Sequence, residues 1–274
     1  KIKQRVCVVL PNTSKHYFRS LNIKTKTDAV DAKVLSRMGV ERKHRLWSPP
    51  PQTLLELRNL TRYHVQLMEQ RTALQNIKHS KEAAFEIQQF IISSNKKLIE
   101  QIDKQIEKCK QQIQSLVKSD EQLSLKIEKL MTIKGVGLMT VVTIVAETLG
   151  FEHVRNAKQL VSYAGYDVVE RESGTSIKGK TRISKKGNRY IRNALYFPAM
   201  VACRHNPELK EVYLRIIKRK PSKMIGQVAI QRKLLRLIYA LWKNDSCYIQ
   251  NYQNKVAQAK TAQATLDNSV VELL

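Results

Sequence analysis

The chain has 274 residues, 49 Lys and Arg against 23 Asp and Glu, and a formal charge of +26. That excess predicts a polyanionic partner, most simply a phosphate backbone bound with strong salt dependence. Four isolated cysteines without a C-x-x-C exclude a zinc ribbon and a disulfide framework, and the absence of any apolar run near ~18 residues excludes a membrane-spanning helix.

In chain order, "RVCVVLP" from Arg5 to Pro11 is a β-branched run closed by proline and reads as a buried strand. "NIKTKTDAVDAKVLSRMG" reads as a loop feeding a helix, with Thr27 as its N-cap and Gly39 as its stop. The prolines of "WSPPP", Trp47 to Pro51, block helix and mark a boundary. From Thr53 to about Leu130 glycine and proline are absent. Leu60, Leu67 and Leu74 repeat every seven residues, and Ile99, Ile102, Ile106, Cys109, Ile113 and Leu116 alternate spacings of three and four. This is an a/d seam, so two long helices forming an antiparallel coiled-coil arm are expected, with "ISSNKK" near Ser93 closing or bending the hairpin unless the turn lies earlier.

"LMTIKGVGLMTVVTIVAETLG", Leu130 to Gly150, has the shape apolar helix, Lys-Gly-Val-Gly, apolar helix. It resembles the helix-hairpin-helix unit of DNA repair and recombination proteins. Gly135 and Gly137 would turn the backbone and free amides to meet a phosphate beside Lys134; the competing reading is an ordinary αα-corner. Gly165 to Ile177 reads as loop or short hairpin. Helices are expected from Asn188 to Cys203 and from Lys210 to Trp242, with breaks near Asn206-Pro207 and Lys220-Pro221. After Asn251 the chain is polar and is expected to fray. The fold class is thus mainly α, with α+β character.

Two stretches carry candidate chemistry. Asp28 and Asp31 lie three apart on one helical face. They suit either the positive end of a helix dipole or part of a Mg²⁺ site, which takes one or two carboxylates and fills its remaining positions with water and phosphate oxygens. Between Gly174 and Arg192 stand seven cations and no anion: Lys178, Lys180, Arg182, Lys185, Lys186, Arg189 and Arg192. Ser173 and Gly174 precede them. A serine hydroxyl flanked by cations is either turn chemistry or a nucleophile positioned against a phosphate. Ser176 and Ser184 compete with Ser173, and Ser184 before Lys185-Lys186-Gly187 looks more like a helix cap or phosphate contact.

"NIKTKTDAVDAKVLSRMG", "RLWSPP", "IKGVGLMTVVTIVAE", "LVSYAGYDVVERESG" and "GKTRISKKGNRYIRNALYFPAMVA" occur in that order. In this the chain resembles the DEDD-type transposases of insertion sequences, the family that includes the Piv DNA invertase and the bridge-RNA-guided recombinases. The resemblance runs from Arg5 to about Asn244. It implies a RuvC-like domain with four acidic Mg²⁺ ligands, a coiled coil, and a transposase domain with an essential serine. The family's D-x-x-D matches Asp28 and Asp31. Its serine matches Ser173, with Ser176 as the fallback because loop spacing varies.

On that resemblance residues 1–48 are the C-terminal remnant of the RuvC-like domain and residues 49–128 the coiled-coil arm. Residues 129–250 are the transposase domain with its serine loop, and 251–274 a polar tail. The family's first Asp and its Glu find no match, because the first acid in the chain is Asp28. A truncated RuvC-like domain is therefore expected, with the complete parent as the enzyme. The implied activity is Mg²⁺-dependent cleavage and exchange of DNA strands through a phosphoserine link. The implied partners are DNA, further copies of the chain in a dimer or tetramer joined through the coiled coil, and, in one branch of the family, a structured guide RNA. A bacterial cytoplasmic, nucleoid-associated location without membrane or signal peptide is expected. A metal-only RuvC-like nuclease, a non-catalytic nucleic-acid-binding protein and a coiled-coil assembly factor stay open as alternatives.

Overall fold

The computed structural model describes residues 6–9, 11–44, 46–82, 89–152, 154–170, 172–173, 177–179, 181–219 and 222–250. The structure is mainly helical, and the chain divides into two compact units, 1–50 and 51–274. None of the described helices is long and apolar enough to cross a membrane.

In the first unit helix α1, Pro11–Ser20, packs on helix α2, Asp28–Glu41. Tyr17, Val34 and Met38 form a small core, joined by the partly buried Val9, Phe18, Leu21 and Val30. Thr27 caps α2, its side chain accepting from the Val30 N–H at 3.3 Å. The Tyr17 hydroxyl donates to Glu41 at 2.6 Å and Arg37 Nε donates to the same carboxylate at 2.5 Å. The two donors hold the Glu41 carboxyl below the usual range, the Tyr17 hydroxyl most of all.

Two expectations for this unit are corrected. Residues 6–9 form no strand, and Val6 and Val8 are exposed. A strand exists only as a paired ladder, and here the backbone pairing is a bond from the Trp47 N–H to the Val6 carbonyl. Pro11, expected to end that strand, instead opens α1, where its missing N–H costs nothing and its fixed φ suits the first turn. Arg5 and Leu10 lie outside the described residues. Gly39 does not stop α2, which runs on to Glu41 and closes with the Arg42 N–H on the Met38 carbonyl at 3.0 Å. Burial of Met38 outweighs the weak helix propensity of a single glycine.

The second unit opens with two long helices, α3 at Gln52–Glu82 and α4 at Gln89–Lys118. They run antiparallel: the Cys109 thiol reaches the Leu60 carbonyl at 3.4 Å, and Arg71 meets Asp103 at 2.5 Å. Ile106, Cys109, Ile113 and Val117 are buried along the facing stripe with Leu57 and Leu67. Ser93 and Ser94 lie inside α4, so "ISSNKK" does not turn the chain. The Ser93 hydroxyl is satisfied by the Phe90 carbonyl one turn back, a bond that a helix accommodates. Residues 83–88 lie outside the described residues.

Helix α5, Glu121–Met131, and helix α6, Leu138–Glu147, bracket the Lys-Gly-Val-Gly turn. Every residue of α6 from Val141 to Glu147 is buried. Helix α7, Ala157–Tyr163, leads to two short antiparallel ladders nested in sequence, β1 at Val168–Val169 with β4 at Arg182–Ile183, and β2 at Glu172–Ser173 with β3 at Ile177–Lys178. Helices α8 at Arg189–Ala194, α9 at Tyr196–His205, α10 at Pro207–Arg219 and α11 at Lys223–Asn244 complete the unit. Lys220, Pro221 and the tail from Asn251 lie outside the described residues. One continuous core joins these elements to the long helices, from Leu54 and Leu57 to Leu234, Leu235 and Ile238.

An Ile106→Asp variant would put an unpaired carboxylate into the stripe between α3 and α4. The expected loss is several kcal/mol, on the order of 3 to 5. Circular dichroism during urea unfolding should show the midpoint falling; an unchanged midpoint would mean that Ile106 does not pack there.

Candidate nucleic-acid interface

The serine and cation stretch is held between α7 and α8. Asn156 caps α7, accepting from the Gln159 N–H at 2.9 Å. At its end the chain passes through Gly165 at φ +76, a conformation that penalises any side chain. The stretch then leaves as the nested ladders and returns as Ser184-Lys185-Lys186-Gly187-Asn188. The returning loop is stitched back onto α7. Ser184 N–H donates to the Asp167 carbonyl at 2.7 Å, Lys185 N–H to Gly165 at 3.1 Å, and Asn188 N–H to Tyr163 at 2.8 Å. A Cβ on Gly187 would stand 2.5 Å from the Gly165 nitrogen and from the Tyr163 carbonyl oxygen, so two backbones touch where only glycine fits. Lys185 holds a left-handed φ of 54° beside this contact.

Beneath the loop lies a buried carboxylate. Glu147, with a side chain 0% exposed at the end of α6, accepts from Arg62 Nε at 2.6 Å and Nη2 at 2.8 Å, both from α3. It also accepts from Asn188 Nδ2 at 2.6 Å. The Asn188 amide oxygen caps α8 through the Tyr190 and Ile191 N–H groups at 2.9 and 3.2 Å. The Tyr163 hydroxyl donates to the Glu147 carbonyl at 2.9 Å. The bidentate bond to Glu147 keeps the Arg62 guanidinium firmly charged. Its central carbon lies 4.9 Å from the centre of the Tyr190 ring. At the hairpin base Tyr166 is buried and donates to Gln231 of α11 at 2.8 Å; burial pushes its phenol pKa upward.

The candidate residues take different places in this frame. The backbone of Ser173 closes the inner ladder opposite Ile177. Gly174, Ser176 and Lys180 lie outside the described residues, as do the side chains of Ser173 and Lys178. Arg182, Lys185, Lys186 and Arg189 are exposed. Arg189 stacks 5.0 Å over the Tyr190 ring and faces Glu69 of α3 at 3.9 Å. Arg192 is half-buried, and its Nη1 donates to the Ala164 carbonyl at 2.7 Å, bracing the Gly165 turn. Ser184 is no helix cap either, since Asn188 caps α8; its hydroxyl accepts from the Lys186 N–H at 3.3 Å.

In the Lys-Gly-Val-Gly turn the two glycines separate. Gly135 has φ +89, and a Cβ there would stand 2.6 Å from Val201 Cγ1 of α9, so close packing requires glycine. Gly137 is the N-cap of α6 in an extended conformation with open space around it, and no tight turn depends on it. Lys134 is exposed beside them.

In the first unit Asp28 and Asp31 occupy the first turn of α2. Asp31 Oδ1 is buried and has no hydrogen-bond partner among the described residues. An orphaned carboxylate oxygen one turn from a second carboxylate fits part of a hard-cation site. The described residues hold no cluster of three or more His, Cys, Asp or Glu, so the pair would supply only some of the ligands.

Sequence reasoning missed Glu147, Arg62, Asn188 and Tyr163. The available signal was Glu147 itself, a lone charge ending "LMTVVTIVAE", whose apolar run predicts burial on every side.

Comparison with known proteins resolves the family. A sequence model for an IS110-type DEDD transposase matches residues 1–80, and one described as transposase IS116/IS110/IS902 family matches residues 127–214. The two fall in the same order as in the expected architecture and together cover more than half of the chain. The chain belongs to the IS110 family of transposases. Among known proteins, the pilin gene-inverting proteins of Moraxella lacunata and Moraxella bovis are each 29% identical over 242 residues, 86% of this chain and 72% of theirs. A probable family 20 transposase of Pseudomonas aeruginosa is 25% identical over 157 residues, 55% of this chain and 44% of its own. The first IS110 match contains Asp28 and Asp31. The second begins in α5 and ends in α10, so it holds the glycine turn, the serine ladder and the cation loop.

Proposed function

We propose that the chain is a DNA recombinase of an insertion sequence that cleaves and rejoins strands through Ser173, with Ser176 as the alternative nucleophile. The observation that carries this reading is the cation loop clamped by Gly165, Gly187 and Asn188, with Ser173 on the ladder that leads into it. A pinned loop presents Arg182, Lys185, Lys186 and Arg189 to a DNA backbone without ordering cost at binding. Lys134 and the amides near Gly135 and Gly137 add a second phosphate contact.

The Ser173 Oγ attacks a DNA phosphorus, the P–O3′ bond breaks, and the hydroxyl proton is lost as the departing 3′ oxygen takes one up. The 5′ phosphate stays on serine as an ester. A 3′ hydroxyl from another strand then attacks that phosphorus and releases the serine. Each step exchanges one phosphate ester for another, so rejoining needs no external energy source. Asp28 and Asp31 would hold Mg²⁺, an ion that would supply charge neutralisation for phosphoryl transfer. The long helices α3 and α4 act as a coiled-coil arm that pairs protomers, and a structured guide RNA is a further partner of the same cationic surface.

Two experiments test the reading. In the full gene product, Asp28→Ala and Asp31→Ala should each abolish Mg²⁺-dependent strand cleavage while DNA binding survives; near-normal cleavage by either variant would return the pair to a helix-dipole role. Replacing Lys185 and Lys186 together by Ala should weaken DNA binding and flatten log affinity against log salt by about one unit for each phosphate no longer neutralised. An unchanged slope would remove the loop from the interface.

A further inference from the structure

We propose that Phe197 is a stacking platform for a single unpaired DNA base, an inference that rests on the DNA-binding reading above. Phe197 stands on α9 and is 71% exposed, while its neighbours Pro198 and Ala199 are buried. A single exposed aromatic is ordinary on a protein surface; what sets Phe197 apart is its place between two grooves. Tyr196 braces it edge-on, with ring centroids 5.3 Å apart and an interplanar angle of 87°. Two grooves meet at this ring, and both Phe197 and Asn193 line each of them. One, of about 740 Å³, is walled mainly by apolar and small polar side chains such as Met68, Met139, Thr143 and Tyr190, with His64 and Glu69 also on its lining. The other, of about 450 Å³, is bordered by Lys185 and Arg192.

The juxtaposition selects the occupant. On one side of Phe197 is an apolar slot that suits a flat ring; on the other are cations that suit a phosphate. Asn193, between them, offers an amide donor and acceptor to a base edge. An apolar peptide would fill the slot and leave the cations unanswered, whereas a base on its phosphodiester meets both. Phe197 is the ring most open to solvent at this site, with Tyr196 set edge-on against it, which fits one base rather than a track of bases; the chain has only 6% aromatics. Strand exchange requires bases to leave their partners, and a displaced base needs somewhere to stack.

The test uses the full gene product and three oligonucleotides: a DNA duplex with one bulged 2-aminopurine, the same duplex fully paired, and the bulged duplex in RNA. The bulged DNA should bind about tenfold tighter than the paired duplex and change the 2-aminopurine emission on binding. Phe197→Ala should lose that preference and that change while keeping affinity for the paired duplex, and Phe197→Trp should retain both. Equal binding of bulged and paired DNA by the unsubstituted protein overturns the inference alone, as does a preference that survives Phe197→Ala. Stronger binding of the bulged RNA than of the bulged DNA overturns the choice of DNA. A fall in sedimentation mass of Phe197→Ala would assign the ring to a contact between copies instead. Failure to bind any duplex removes the DNA-binding reading together with the inference.

Discussion

Ser173→Ala in the full gene product is expected to lose strand exchange by on the order of a thousandfold or more, with DNA affinity unchanged to within about twofold. The two halves of that result have separate physical origins. A nucleophile is the atom that forms the new bond, so removing it removes the covalent route and leaves only slow alternatives. On the proposed reading, binding depends on the cations that follow and on a loop shape set by Gly165, Gly187 and Asn188, whereas Ser173 holds its place through its backbone ladder to Ile177. Strand exchange should be followed on a supercoiled donor and binding by anisotropy on the same DNA. Loss of both together would indicate a folding defect, and loss of neither would make serine dispensable. Ser176→Ala, run in parallel, distinguishes the two serines.

Glu147→Ala is expected to destabilise the protein by about 3 kcal/mol. A buried ion pair broken from one side leaves the other charge without its partner, which typically costs about 3–5 kcal/mol. Arg62 keeps access to water, with 41% of its side chain exposed, which places the loss at the low end of that range. Asn188 loses its acceptor as well, and with it the fixed amide that caps α8. The melting temperature should drop by roughly 10 °C in this size class. Glu147→Gln keeps the shape and one acceptor but turns an amide donor toward Asn188 or Arg62, so its loss should be smaller. Because Asn188 ends the cation loop, the alanine variant should also weaken DNA binding below the unfolding temperature. A loss of less than about 1 kcal/mol would mean that the carboxylate is not shared among α3, α6 and α8.

Much of the helical layout was legible because it rests on local signals. Thr27 in front of Asp28 predicts a capped helix start, and the observed side chain accepts from the Val30 N–H. The three-four spacing around Ile106, Cys109 and Ile113 predicts one buried stripe, and those residues are buried. Asn206-Pro207 predicts a break, and α9 and α10 meet there. The failures share a different cause. Residues 6–9 have strand composition, but a strand depends on a ladder partner that composition does not specify. Gly39 reads as a stop, yet Met38 beside it is buried and the helix continues. The break between α8 and α9 at Leu195 is marked only by Pro198 in the first turn of α9, a signal that the apolar periodicity running through it masks.

The candidate interface was legible in its charge and not in its support. Seven cations in one stretch are visible without a structure, whereas Arg192 spends a donor on the Ala164 carbonyl, 28 positions away in the chain. The Glu147 cluster joins residues 41 and 85 positions apart, so no window of sequence contains it. Gly165 and Gly187 each look like ordinary loop glycines until their backbones are seen to touch.

The most direct measurement is peptide mapping of the covalent product formed with a suicide DNA substrate whose released strand cannot be rejoined. The full gene product, incubated with that DNA and Mg²⁺ and then denatured, should carry a nucleotide remnant on the peptide containing Ser173, and the Ser173→Ala protein should carry none. Efficient cleavage with no protein–DNA adduct would contradict the serine mechanism and leave a metal-activated water as the nucleophile.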